Sequence, residues 1–117
     1  MMNRILAPIL LLVFLFPALA LSEEVTFDDL VEREGIYYKK FTDIPFTGKT
    51  TGQTQGTYKD GLLDGPYVSY YNNDNGQLCR KGDYKDGKKD GPWVSYHGDG
   101  TVDEKDTGTY KNAVRIN

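Results

Sequence analysis

Few side chains in this sequence could do chemistry. His97 is the only histidine and Cys79 the only cysteine among 117 residues. One histidine excludes a multi-histidine metal site, and one cysteine excludes an intrachain disulfide framework or a cysteine-rich zinc site. Ser69 and Ser95 both occur as Val-Ser-Tyr. A single histidine cannot serve a nucleophile–base arrangement built twice, so both serines read as structural. His97 stands where an otherwise matching segment has Tyr71, so it reads as a substituted strand residue rather than a general base.

The acids are more regular. Asp60, Asp64, Asp86 and Asp90 recur as Asp-Gly-x-x-Asp-Gly. Clustered carboxylates and turn carbonyls suit calcium. Aspartate before glycine is also ordinary turn chemistry, because its carboxylate accepts local N–H groups and glycine takes positive φ without a clash. The turn reading fits better, since Asn72–Gly76 lacks both the opening aspartate and the closing glutamate of a calcium loop. The glycines are followed by no Gly-Lys-Ser/Thr, so they do not cradle phosphate. The expectation is no metal, no cofactor and no enzyme.

What remains is surface. Strand alternation puts Tyr67, Tyr71, Trp93 and His97 on one face with Ser69 and Ser95 between them, and Val68, Tyr70, Val94 and Tyr96 on the other. Tyrosine, tryptophan and histidine suit contacts because each joins an apolar body to a polar tip. Those four are the candidate binding residues. Parity alone leaves open which face is the packed one.

Positioning them is the work of a repeat. Gly56–Tyr71 matches Gly82–His97 at 11 of 16 positions with an offset of 26, and a third copy opens at Gly108-Thr-Tyr110-Lys-Asn112. Pro66–Tyr71 and Pro92–His97 are rich in β-branched and aromatic residues and read as strands. Asp74-Asn75-Gly76 and Gly98-Asp99-Gly100 read as hairpin turns. The return strand falls at about residues 77–85, and Asp86-Gly87 turns the chain again. Tyr58, Tyr84 and Tyr110, with Tyr70 and Tyr96, recur at the repeat interval and are expected to stack as an aromatic ladder. Leu, Ile, Val and Phe total only 17 of residues 21–117. The nine tyrosines and one tryptophan supply the missing apolar area, at roughly 150–250 Å² per ring. Stacked repeats give each hairpin the core it lacks alone.

Tyr84-Lys-Asp-Gly87-Lys-Lys-Asp-Gly91-Pro-Trp93-Val-Ser-Tyr96, followed by Asp99-Gly100, resembles the MORN repeat and is closest to its bacterial variant form. The resemblance covers residues 56–112, and Gly35–Gly48 looks like a degenerate leading unit. It implies an all-β fold, an elongated meander of antiparallel hairpins, that acts as a protein- or lipid-contact scaffold rather than an enzyme. Some bacterial proteins with such variant repeats are named antitoxins.

The expected organisation is therefore a signal peptide at 1–20, a helical cap at 21–35, a degenerate repeat and loop at 36–55, and the array at 56–117 (56–81, 82–107 and a partial 108–117). Residues 1–20 hold 16 apolar residues and one charge, Arg4, with Ala18-Leu19-Ala20 as the cleavage site. The alternative is a retained anchor, but Ile5–Leu21 is 17 residues with two prolines, short of the roughly 20 that span a bilayer. Thr26-Phe-Asp-Asp29 reads as a helix start, with Phe27, Leu30 and Val31 on one face and Gly35 as the stop. Thr47–Gln55 reads as a connecting loop. Lys111 and Arg115 discourage pairing at the last strand's edge.

Without the first 20 residues the net charge is −4, from 13 basic and 17 acidic side chains. That argues against nucleic acid as a partner. The expected role is an exported, periplasmic or extracellular binding module for a protein partner at a bacterial envelope. Alternatives are a membrane surface or envelope polymer, contacted through Arg80, Lys81, Lys88 and Lys89, or an antitoxin- or immunity-like complex with a basic toxin. Cys79 offers a route to a disulfide-linked dimer.

Overall fold

The computed structural model describes residues 23–73 and 75–117. The segment read as a signal peptide, residues 1–20, lies outside them. The described chain is all-β. Its strands are β1 (Glu23–Thr26), β2 (Leu30–Arg33), β3 (Ile36–Lys39), β4 (Gly48–Thr51), β5 (Thr54–Gln55), β6 (Thr57–Lys59) and β7 (Leu62–Leu63). They continue with β8 (Gly65–Tyr70), β9 (Leu78–Lys85), β10 (Lys88–Lys89), β11 (Gly91–Ser95), β12 (Gly108–Lys111) and β13 (Val114–Arg115). One sheet runs β1-β4-β6-β7, a second runs β13-β12-β11-β9-β8-β5 with β10 on β9, and β2-β3 is a separate hairpin. Pairing is antiparallel except between β1 and β4.

The turns explain the order. Glu34-Gly35, Asp60-Gly61, Asp86-Gly87 and Asn112-Ala113 all take positive φ at both residues, near 50° and then 70–84°, at intervals of 26 residues. Both residues left-handed is the turn that matches strand twist in a two-residue hairpin. The last two turns each donate a hydrogen bond to the preceding repeat. The Gly87 N–H donates to the Leu63 carbonyl at 2.7 Å, and the Ala113 N–H to the Lys89 carbonyl at 3.0 Å.

Two expected elements differ. The helix expected within 21–35 is a single 3-10 turn, Phe27–Asp29, and the chain then extends into β2. The capping residues are used as expected, with the Thr26 N–H and hydroxyl both donating to the Asp29 carboxylate at 2.9 and 3.0 Å. Those bonds hold the Asp29 carboxyl below its ordinary range. Gly35 stops no helix; it is the tip of the β2–β3 hairpin, a role that requires the same positive φ. Leu30, at the start of β2, is buried against Phe46 and Tyr58. The second difference is 47–55. It is not a loop but carries β4 and β5, because β4 fits between β1 and β6. Thr50 is buried there, and its hydroxyl accepts the Gly56 N–H at 2.7 Å.

The hydrophobic core sits at this end. Leu30, Phe46 and Tyr58 are buried together, with Val25, Tyr37 and Leu63 packed around them.

Candidate functional site

The two faces of the main sheet have different characters. Cross-strand pairs assign them: Tyr67 opposes Gly82 and Trp93 opposes Gly108 on one face, while Val68 and Val94 both oppose Lys81 on the other.

The aromatic face is closed. Tyr84 meets Tyr67 edge-on at 5.3 Å and Trp93 edge-on at 5.0 Å between ring centroids. Tyr67 and Trp93 lie 5.9 Å apart. Trp93 is only 3% exposed, and its indole N–H donates to the Asp83 carbonyl at 2.9 Å. The ring lies across Gly82, where an added Cβ would fall 2.2 Å from an indole carbon. Lys89 closes the next gap, its ammonium 4.7 Å from the Trp93 ring and 4.9 Å from the Tyr110 ring. Burial and the charge of Arg80 hold the Lys89 ammonium below its ordinary pKa. Burial raises the Tyr84 phenol.

Trp93 is therefore a core residue and Tyr67 its half-buried neighbour; neither forms the open contact face expected of them. Tyr71 and His97 lie just past the ends of β8 and β11. The Tyr71 hydroxyl donates to the Tyr96 carbonyl at 2.6 Å and is raised by its contact with the Cys79 thiol. His97 is exposed in a turn whose backbone N–H donates to the Thr101 carbonyl. The four residues do not converge. The tyrosine ladder is also built differently from expectation. Tyr58 packs on Tyr37 and Phe46, Tyr84 on Tyr67 and Trp93, and Tyr110 reaches Trp93 through Lys89. Tyr70 and Tyr96 are half-buried on the other parity.

Ser69 and Ser95 are buried on the aromatic face opposite Arg80. The Thr107 hydroxyl accepts the Ser95 N–H at 2.9 Å. Among the described residues the Ser69 hydroxyl has no hydrogen-bond partner, and no three His, Cys, Asp or Glu side chains gather as a metal site. Cys79 is a half-buried free thiol.

The opposite face is open. It forms a groove of about 1130 Å³ whose lining includes Lys49, Pro66, Val68, Lys81, Asp83, Pro92 and Val94. The proline–valine pairs of β8 and β11 flank Lys81 and Asp83 of β9, so two apolar strips border one charged strip. Tyr67, Gly82 and Trp93 also line the groove, although the rings of Tyr67 and Trp93 belong to the other face by strand alternation. Strand alternation in the sequence puts Val68 and Val94 on one face but does not mark it as the open one, and it does not single out Lys81 or Asp83. The usable signal was glycine: Gly56, Gly82 and Gly108 recur on the aromatic parity, and the side chains of Leu63 and Tyr58, of Trp93, and of Arg115 respectively lie over their bare Cα atoms.

Sequence reading also missed the closure after Tyr110. Arg115 crosses Gly108, where an added Cβ would lie 2.7 Å from its Nε. Its guanidinium donates to the carbonyls of Glu104 at 3.1 Å, Lys105 at 2.8 Å and Asn117 at 2.7 Å. It covers the glycine as Trp93 covers Gly82.

Compared with known proteins, the chain matches no family model, no curated protein and no solved structure.

Proposed function

We propose that this chain is a non-enzymatic binding protein, an antiparallel hairpin repeat array of the MORN-variant type, exported and holding a protein partner at the envelope. The observation that carries this reading is the asymmetry of the sheet. One face spends its aromatics on the core, and the other leaves a groove of two proline–valine strips around Lys81 and Asp83. Apolar strips bordered by charge are the composition of a protein contact. The turns that recur every 26 residues support the repeat reading.

The partner-binding residues in this reading are Val68, Val94, Lys81 and Asp83, not Trp93. The test is capture from an envelope extract with the wild-type chain and a Val68→Asp/Val94→Asp variant, both checked for an unchanged melting transition. One stoichiometric protein lost with the variant supports the reading. Equal recovery by both chains, or recovery of nothing by either, overturns it.

A further inference from the structure

The loop between β3 and β4 leaves two large apolar side chains in solvent. Phe41 is fully exposed, at 103%, and Ile44 is 74% exposed. Phe41 also takes φ 68°, a conformation that suits glycine or asparagine and not a bulky side chain. Fold stability therefore gains nothing from Phe41 in either its burial or its backbone.

The loop is nevertheless built. The Thr42 N–H and hydroxyl both turn back to the Lys39 carbonyl, at 3.1 and 2.9 Å. Arg33 stacks on Tyr38 at 4.0 Å and donates to the Thr42 carbonyl at 3.0 Å and to Asp43 at 3.2 Å. Thr42 is tied to the loop's own backbone and Asp43 to Arg33, while the two apolar side chains contact solvent. An observed backbone outlier of this kind is a reason to look for a function.

The location suggests the occupant. Glu23, the first described residue, pairs with Lys39 at 2.8 Å, two residues before Phe41. The chain thus enters the fold beside this loop. The apolar stretch Ile5–Phe16 is separated from Glu23 by six residues, Pro17–Ser22. Fully extended, these reach about 20 Å. Whenever that stretch lies in a bilayer, the loop is held close to the bilayer surface. Glu23 pairs with Lys39 and the exposed Asp43 pairs with Arg33, so among the described residues Lys40 is the loop's charge without an ion-pair partner.

We propose that the Lys40–Pro45 loop is a membrane contact, with Phe41 and Ile44 inserting among lipid headgroups. Aromatic and aliphatic side chains beside a lysine are suited to that interface. The proposal uses neither the groove nor its partner, so it stands or falls separately from the protein-binding reading.

The test uses the full chain carrying Phe41→Trp, mixed with phosphatidylcholine vesicles and with vesicles one quarter phosphatidylglycerol. Trp93 is already buried, so the difference spectrum against wild type isolates position 41. The expected result is a blue shift with both vesicle types and quenching by brominated lipid. An emission unchanged by vesicles, whether or not the chain sediments with them, overturns the proposal. So does a shift produced by an envelope protein and not by lipid. In a second variant, Phe41→Asn/Ile44→Ser, vesicle affinity of the processed chain is expected to fall about tenfold or more, with no loss of thermal stability. Loss of stability with unchanged affinity would instead assign the two residues to folding.

Discussion

The cluster around Tyr58 and the cluster around Trp93 solve the same problem with different side chains. Each places rings over a sheet whose glycines leave room for them. Around Tyr58 the neighbours are Leu30, Phe46, Val25, Tyr37 and Leu63, supplied in part by β1 and the β2–β3 hairpin. Around Trp93 the sheet has no such second layer among the described residues, and the neighbours are Tyr67, Tyr84 and Lys89. Leu63 and Lys89 are 26 residues apart and equivalent in the repeat. A layered region can be closed by aliphatics. A single sheet is closed better by amphipathic chains, which cover a ring and keep a polar end near water.

The polar atoms show the reverse asymmetry. The Trp93 indole N–H is satisfied by the Asp83 carbonyl. The Tyr58 hydroxyl, in the more apolar cluster, has no partner of full hydrogen-bond geometry among the described residues. Burial pushes its pKa up to about 12, only partly offset by the nearby Thr50 hydroxyl.

Removing either anchor is the strongest way to test whether the clusters are one cooperative unit. Trp93→Ala and Phe46→Ala are each expected to lose about 3–5 kcal/mol. Both should do so in a single denaturant transition. The Gly87–Leu63 bond and the Asp86 N–H donating to the Asp64 carboxylate at 3.1 Å link the two regions. Two separate transitions would break the comparison into independent domains.

Gly82→Ala comes next, at about 1–3 kcal/mol, because the new methyl group meets the indole. That loss should shrink in a Trp93→Leu background, since the clash is with the ring and residues in contact are not additive. Gly91→Ala makes a control of another kind. It meets no atom within 4 Å but must hold φ 94°. Its loss, about 1–2 kcal/mol, should be the same in both backgrounds.

These glycines also mark where the sequence was legible. The strands around Tyr67 and Trp93 and the all-β class follow from alternation and Asp-Gly pairs, and the two strands appear within a residue or two of expectation; Asp74, in the turn expected at Asp74-Asn75-Gly76, lies outside the described residues. The N-terminal region did not read as well. Gly35 serves a helix end and a hairpin tip by the same positive φ, so local sequence could not separate them. β4 and β5 lack apolar alternation because Thr50 is buried by a hydrogen bond rather than by hydrophobicity. The open face was undecided because both parities carry valines or rings. Only the cross-strand glycines break that tie, and they act through pairing that a single strand does not display.

Alkaline titration sharpens the contrast at Tyr58. The unfolded phenol titrates near 10 and the folded one near 12. Between those values the unfolded chain has lost its proton while the folded chain keeps it. Stability is therefore full below pH 10 and falls as pH rises toward 12, by up to about 1.4 kcal/mol per pH unit from this group. Tyr37 and Tyr84 shift in the same direction and add to the fall. Tyr58→Phe should weaken that slope and, by removing an unpartnered hydroxyl, leave stability at pH 7 unchanged or raised by up to about 1 kcal/mol. Denaturant midpoints at pH 7, 9 and 11 measure both effects. A Tyr58→Phe variant with the wild-type alkaline slope would show that its phenol is solvated.

The smallest effect tests the substitution that distinguishes the two clusters. Lys89→Leu makes the second cluster resemble the first. The leucine removes a partly buried charge that Arg80 repels, and it also removes the attraction of the ammonium for Trp93 and Tyr110. Cation–π contacts at such sites are worth about 0.5–1 kcal/mol, comparable with the opposing desolvation. The net change should lie within about 0.5 kcal/mol of zero. Lys89→Ala removes the covering chain as well and should lose about 1 kcal/mol. Thermal melts of the two variants separate the stem from the charge. Equal losses would mean that the ammonium, not the aliphatic stem, closes the aromatic face. Loss only in the alanine variant would mean that this sheet needs a side chain of leucine length at that point and tolerates lysine because its end reaches water.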